Sequence, residues 1–209
     1  MGEPHPSPLI ENKQFGTEDE RLLQPQNFPA LAPKGLEEIL QRWRELHRRW
    51  HGRTHLLKLL TLVNQTELAP ADQEMLNYVA LFHDAIYQPL SATNEEDSAR
   101  LAEKYLIGYG RQDEVVRAIL ATKHHRIEEA SKGRLEEEKL IGLFNAWDCA
   151  ILSETSWEEL LSYEDGIAFE YREVDRDVYR RERSRFLRGA AKDYDNPLLE
   201  RLANEVARG

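Results

Sequence analysis

From Lys34 onward, apolar residues recur three and four places apart in one segment after another, and no sustained two-residue alternation appears. That period predicts helices throughout and no sheet. Leu36, Ile39, Leu40 and Trp43 mark one face of a first helix, and Leu56, Leu59, Leu60 and Val63 mark the next. Pro70, suited to a first helical turn, opens a strongly apolar helix through Met75, Leu76, Val79 and Leu81. The pattern carries this helix past Phe82 towards Ile86, stops it before Pro89 and makes it the central element. Thr93 with Glu96 three places on predicts a capping box ahead of Ala99, Leu101, Ala102 and Leu106. Residues 115–122 form a short apolar helix, 128–139 a charged loop or helix end, and 140–152 a return to the core. Ser156 and Glu159 cap a further helix, 167–189 reads as one long charged helix, and 197–206 as the last.

The prolines at 4, 6, 8, 25, 29 and 33 set residues 1–33 apart as an N-terminal arm that lies over the domain or is loosely ordered. The remaining 34–209 is read as a single all-α domain, in keeping with a length of 209 residues. At 41% apolar and 32% charged, the chain has enough of the first for a core and enough of the second for a wet surface. No window approaches the roughly 18 apolar residues of a membrane span, and the polar, proline-containing start is not a signal peptide. The single cysteine, Cys149, cannot form an internal disulfide, so the expected location is the reducing cytoplasm, away from membranes. A formal charge of -10 repels polyanions and argues against broad nucleic-acid binding. Arg42, Arg44, Arg48, Arg49, Arg53 and Lys58 nevertheless form a local basic rim, mostly a solvated face paired with glutamates. Arg49 and Arg53, close to His51 and His55, are the pair expected to meet a small phosphorylated substrate.

Candidate chemistry enters with the histidines. His51 and His55 are four apart and would share a helix face. His83 lies on the face of Leu76, Val79 and Ile86 and is followed at once by Asp84. Asp148 is embedded in the apolar stretch 143–152. Interior carboxylates are costly, and a divalent cation offsets their desolvation while keeping them ionised. His55, His83, Asp84 and Asp148 are therefore expected to converge on one divalent metal ion that acidifies water for attack on phosphorus. His51 would remain free to protonate a leaving oxygen. Manganese, iron, cobalt, nickel, zinc and magnesium all suit such a set.

The ordered segments 50–55 (Trp-His-Gly-Arg-Thr-His), 81–87 (Leu-Phe-His-Asp-Ala-Ile-Tyr), 94–99, 122–125, 148–152 and the Glu170-Tyr171 region resemble the HD-domain superfamily. The match is to bacterial HD phosphohydrolases with a Tyr-His-Asn-x-x-His opening, and it spans residues 36–189. The resemblance implies an HD-domain-like helical bundle and a phosphohydrolase of a small, nucleotide-like phosphoester, either a monoester or a diester. It implies metal ligands at His55, His83, Asp84 and Asp148, and a leaving-group donor at His51 by analogy with cyclic-nucleotide phosphodiesterases. It further implies that His125 touches substrate or a second metal, and that Glu95 or Glu96 orients water. Trp50 and Gly52 replace the usual tyrosine and asparagine, and Ala146 replaces an acid two places before the late aspartate, which disfavours a second metal. The alternatives are a di-iron oxygenase of the same superfamily, which needs more ligands, and a non-catalytic nucleotide- or protein-binding protein on the same fold.

Overall fold

Pro33, Pro70 and Pro197 each stand in a first helical turn, where the fixed φ of the ring suits the helix and the missing N–H would have had no partner. The computed structural model describes residues 19–123, 135–153 and 155–209, and among them it shows an all-α bundle without a strand. After two short 3₁₀ turns, Asp19–Leu23 and Pro25–Asn27, come α1 (Pro33–Arg42), α2 (Arg53–Gln65), α3 (Pro70–Phe82), α4 (Asn94–Tyr105) and α5 (Gln112–Thr122). They are followed by α6 (Leu135–Asp148), α7 (Ala150–Ser153), α8 (Trp157–Glu170), α9 (Arg176–Asp193) and α10 (Pro197–Arg208). No helix among the described residues is long and apolar enough to cross a membrane.

The buried apolar side chains form two clusters. The first collects α1 to α6 around α3, in which every residue from Met75 through Phe82 is buried, Asn77 included, as its strongly apolar composition predicts. The second collects α7 to α10, through Leu160, Ile167, Leu187, Leu199 and Leu202. The described half of the arm lies over the domain: Leu23, Phe28 and Leu31 are buried in the first cluster, and Ala30 N–H donates to the Tyr78 hydroxyl at 2.8 Å. Burying Phe28 alone contributes about 2 kcal/mol of hydrophobic free energy. The α9–α10 hairpin closes with Asp195 in the left-handed region at φ 49°, while Asn196 N–H bonds back to the Ala191 carbonyl at 3.0 Å, a Schellman-type end.

Local chemistry decides three departures from the periodicity. α3 ends at Phe82 instead of running to Ile86: the Leu81 carbonyl, which Ala85 N–H would have used, accepts the Trp43 indole N–H at 2.9 Å, Ala85 N–H turns back to the Phe82 carbonyl at 3.0 Å, and the Arg48 guanidinium holds the carbonyls of Asp84 and Ala85 at 2.6 and 3.1 Å. The Ser98 hydroxyl then takes Ile86 N–H at 3.0 Å, which fixes the chain in a turn. The expected long helix over 167–189 is two helices: α8 stops at Glu170, and Asp175 restarts the chain by accepting from Asp177 and Val178 N–H at 3.0 and 3.1 Å. The Thr93–Glu96 capping box does not form, since Thr93 Oγ1 donates to Asp97 and Glu96 pairs with Lys123. The Ser156–Glu159 box does form, with Ser156 Oγ accepting at 3.2 Å and Glu159 Oε2 returning to Ser156 N–H at 3.0 Å.

Candidate functional site

His55 is the third residue of α2, His83 and Asp84 form the turn that ends α3, and Asp148 is the last residue of α6. Both histidines are buried. The two Nε2 atoms stand 3.3 Å apart, Asp84 Oδ2 is 3.4 Å from His83 Nε2, and the ligand atoms of His55, His83 and Asp84 all lie within 4.8 Å of one another. Asp148 Oδ1 stands beside this trio, 2.9 Å from His55 Nε2 and 3.6 Å from His83 Nε2.

The His83 ring is held between Trp43 and Phe144, with centroids at 5.5 and 5.4 Å, and its Nδ1 faces the Ala80 carbonyl at 3.0 Å. A proton on Nδ1 satisfies that carbonyl and leaves the Nε2 lone pair pointing at the other ligand atoms, the tautomer a metal requires. Burial lowers the His55 pKa, against the opposing pull of Asp148, which favours the neutral ring that coordination needs. Two imidazole nitrogens and a carboxylate at mutual contact fit a borderline divalent cation, and His55, His83 and Asp84 can hold a metal ion.

His51 is not on the helix with His55. It lies in the turn before α2, with Gly52 as the N-cap, because the chain there wraps around a carboxylate. Glu170 Oε1 accepts three consecutive backbone N–H groups, from Arg49, Trp50 and His51, at 2.7, 2.7 and 2.9 Å. Its Oε2 accepts the Tyr87 hydroxyl and His51 Nδ1–H, both at 2.8 Å. Burial alone would raise the Glu170 pKa, but the His51 hydrogen bond and charge, the Arg49 N–H and the Tyr87 hydroxyl outweigh it and bring it down to about 2. Burial likewise opposes charge on His51, and the Glu170 hydrogen bond with the fields of Asp84, Glu170 and Asp148 overrides it and raises the pKa. The His51 ring, 6.1 Å from that of His55, is thereby fixed with Nδ1 towards Glu170.

Gly166 makes this loop's approach possible. A Cβ there would sit 3.0 Å from Trp50 Cβ and 3.3 Å from Trp50 N. Glu170 is the functional residue to which the sequence assigned no role. A signal existed, since Glu170 falls three places after Ile167 on the buried stripe of α8 that also carries Leu160 and Tyr163.

A cavity of about 590 Å³ opens at the site, lined by His51, His55, Asp84, Asp148, Trp50, Tyr87, Glu95, Lys123 and the α8 and α9 side chains. Glu95 reaches this wall, whereas Glu96 is held by Lys123. The two expected phosphate-binding arginines do not line it: Arg53 pairs with Glu20 from the arm, and Arg49 lies over the Phe169 ring at 5.4 Å. Arg48, read as part of a solvated rim, is buried and bonded to backbone carbonyls. His47, outside the site, faces the Tyr87 carbonyl at 2.8 Å. His125 lies outside the described residues. Comparison with protein-family models, curated proteins and solved structures finds no match for this chain, so the functional reading rests on the site itself.

Proposed function

We propose that this chain is an HD-type, metal-dependent phosphohydrolase acting on a small phosphorylated molecule. The observation that carries this reading is the meeting of His55, His83, Asp84 and Asp148, from α2, the end of α3 and the end of α6, where the cavity opens. One divalent ion is held by these four groups, and manganese, iron, cobalt, nickel, zinc and magnesium are all compatible with them. When bound, the ion supplies Lewis acidity towards a phosphoryl oxygen and lowers the pKa of water towards neutrality.

The chain's own residues supply the rest. His51, with Nδ1 engaged by Glu170, keeps Nε2 for carrying a proton to a leaving oxygen. Tyr87 donates to the same carboxylate oxygen, so the acceptor that orients the His51 ring is itself held in place. Lys123 and Arg183, instead of Arg49 and Arg53, bring positive charge to the cavity wall, and Glu95 stands there to accept from a water or a substrate hydroxyl. Trp50, Ile151 and Leu152 make the adjoining surface apolar and exclude bulk solvent from the reacting groups. The test is phosphate release from a panel of small mono- and diesters by manganese-loaded protein, beside the His83→Ala and Asp84→Ala variants. The reading expects turnover that both variants lose; equal rates in all three proteins would sink it.

A further inference from the structure

The proposed chemistry uses only the part of the cavity where His51, His55, Asp84 and Asp148 meet. At about 590 Å³ the cavity is far larger than one phosphoryl group, and it falls within the roughly 300–1,000 Å³ of pockets that enclose a whole small ligand. The lining supplied by α7 to α9 is mostly apolar and aromatic, and it includes Ile151, Leu152, Ile167, Val178 and Phe186; Leu90 joins it from the loop before α4. Leu90, Phe186 and Val178 are 74%, 47% and 38% exposed. A single exposed apolar side chain is ordinary, but three on the lining of one cavity make an apolar rim from which a covering ligand releases water. Polar groups of this wall are already engaged within the protein. Tyr179 donates to Glu164 Oε1 at 2.6 Å, and Tyr87 donates to Glu170 Oε2 at 2.8 Å. Among the described residues the cations that line the cavity are Lys123, which donates to Glu96 and the Ala92 carbonyl, and Arg183, which donates to Glu164. Glu182 adds a negative charge to the same wall.

We infer that the group esterified to the substrate's phosphate is apolar and uncharged, and that it lies along the α7–α9 wall and covers the rim at Leu90, Val178 and Phe186. The phosphoryl half of this statement rests on the proposed function; the apolar half rests on the wall alone. Affinity then grows with the apolar surface that the ligand removes from water. A second anionic group on the ligand is disfavoured, because it would be desolvated beside Glu182 while Lys123 and Arg183 are held by carboxylates.

The experiment is calorimetric binding of ethyl-, butyl-, hexyl- and 5-carboxypentylphosphonate to the manganese-loaded full chain, with phosphate release from ethyl and hexyl phosphate measured alongside. The alkyl series keeps the head group constant, so its slope reads the apolar wall alone. A fully buried methylene is worth about fourfold in affinity, and a cavity open at its rim should give about twofold, so hexylphosphonate binds about tenfold or more tightly than ethylphosphonate. The 5-carboxypentyl compound, of similar length, loses that gain. The double variant Leu90→Ser with Phe186→Ser, at two exposed positions, cuts the hexyl-to-ethyl ratio to about threefold. Equal binding of ethyl- and hexylphosphonate, no binding of either, a carboxypentyl compound as tight as hexyl, or an undiminished ratio in the double variant would overturn the inference. So would a flat series in a dimeric protein that the double variant makes monomeric, since the rim would then serve a second copy of the chain. A full hexyl gain in binding with no phosphate release from either ester would leave the apolar wall standing and remove the phosphohydrolase. Turnover of both esters with equal kcat/KM and a flat binding series would do the reverse.

Discussion

Glu170→Gln is the substitution that most sharply separates the account from a generic helical bundle. The Glu170 carboxylate is buried, accepts five hydrogen bonds, and has a pKa of about 2 against 4.5 for a free side chain. The sign follows from the direction of the shift. A depressed carboxyl pKa stabilises the folded state above the unfolded pKa, and that contribution is lost as pH falls through 4.5 towards 2. At neutral pH the difference corresponds to about 3 kcal/mol. The raised pKa of His51 is the other side of the same contact and is not added to it; its own contribution is present below 6.5 and is lost as pH rises through the folded value.

Gln keeps an oxygen for the three backbone N–H groups but turns an NH₂ towards His51 and Tyr87, where donors already point. Urea unfolding of both proteins between pH 7 and pH 3 reads the consequence. The variant should be less stable by about 3 kcal/mol at pH 7, and the gap should shrink to roughly half near pH 3 as the native carboxyl approaches protonation. A variant as stable as the parent, or a gap that does not change with pH, would refute the reasoning.

Other substitutions probe the supports of the site. Gly166→Ala gains about 1 kcal/mol of helix propensity, yet it pushes on Trp50, whose backbone is pinned by Glu170; the expected net result in urea unfolding is a loss, with Trp50 fluorescence altered. Arg48→Met leaves the carbonyls of Asp84 and Ala85 without their donor and should cost about 3 kcal/mol in thermal or urea unfolding, with weakened metal binding because Asp84 loses its turn. Ser156→Ala removes half of the α8 capping box and should cost about 1 kcal/mol in the same assay, without affecting metal content.

Much of this architecture was legible in the chain. The proline starts, the Ser156–Glu159 box and the apolar run of α3 follow local rules that tertiary contacts did not override. The convergence of His55, His83, Asp84 and Asp148 was also legible, because an interior acid is costly enough to demand a reason. Two of the misreadings share a cause: side chains from distant segments took backbone groups that local rules assign to neighbours. Trp43 takes the Leu81 carbonyl and Ser98 takes the Ile86 N–H that would have continued α3, and Glu170 takes the N–H groups of 49–51, drawing His51 out of the helix that its four-residue spacing from His55 suggests. The break between α8 and α9 was signalled only by Asp175, one acid among many charges. The basic rim misled for the same reason, since the charge pattern cannot tell a phosphate from Glu20 or a peptide carbonyl as the partner.

Elemental analysis of protein purified without chelator or histidine tag, run beside the Asp84→Ala variant, tests the central claim most directly. The account predicts about one divalent transition metal per chain in the parent, lost in the variant, as expected for a mixed imidazole and carboxylate site. No metal in the parent even after incubation with manganese, or equal metal in both proteins, would contradict it.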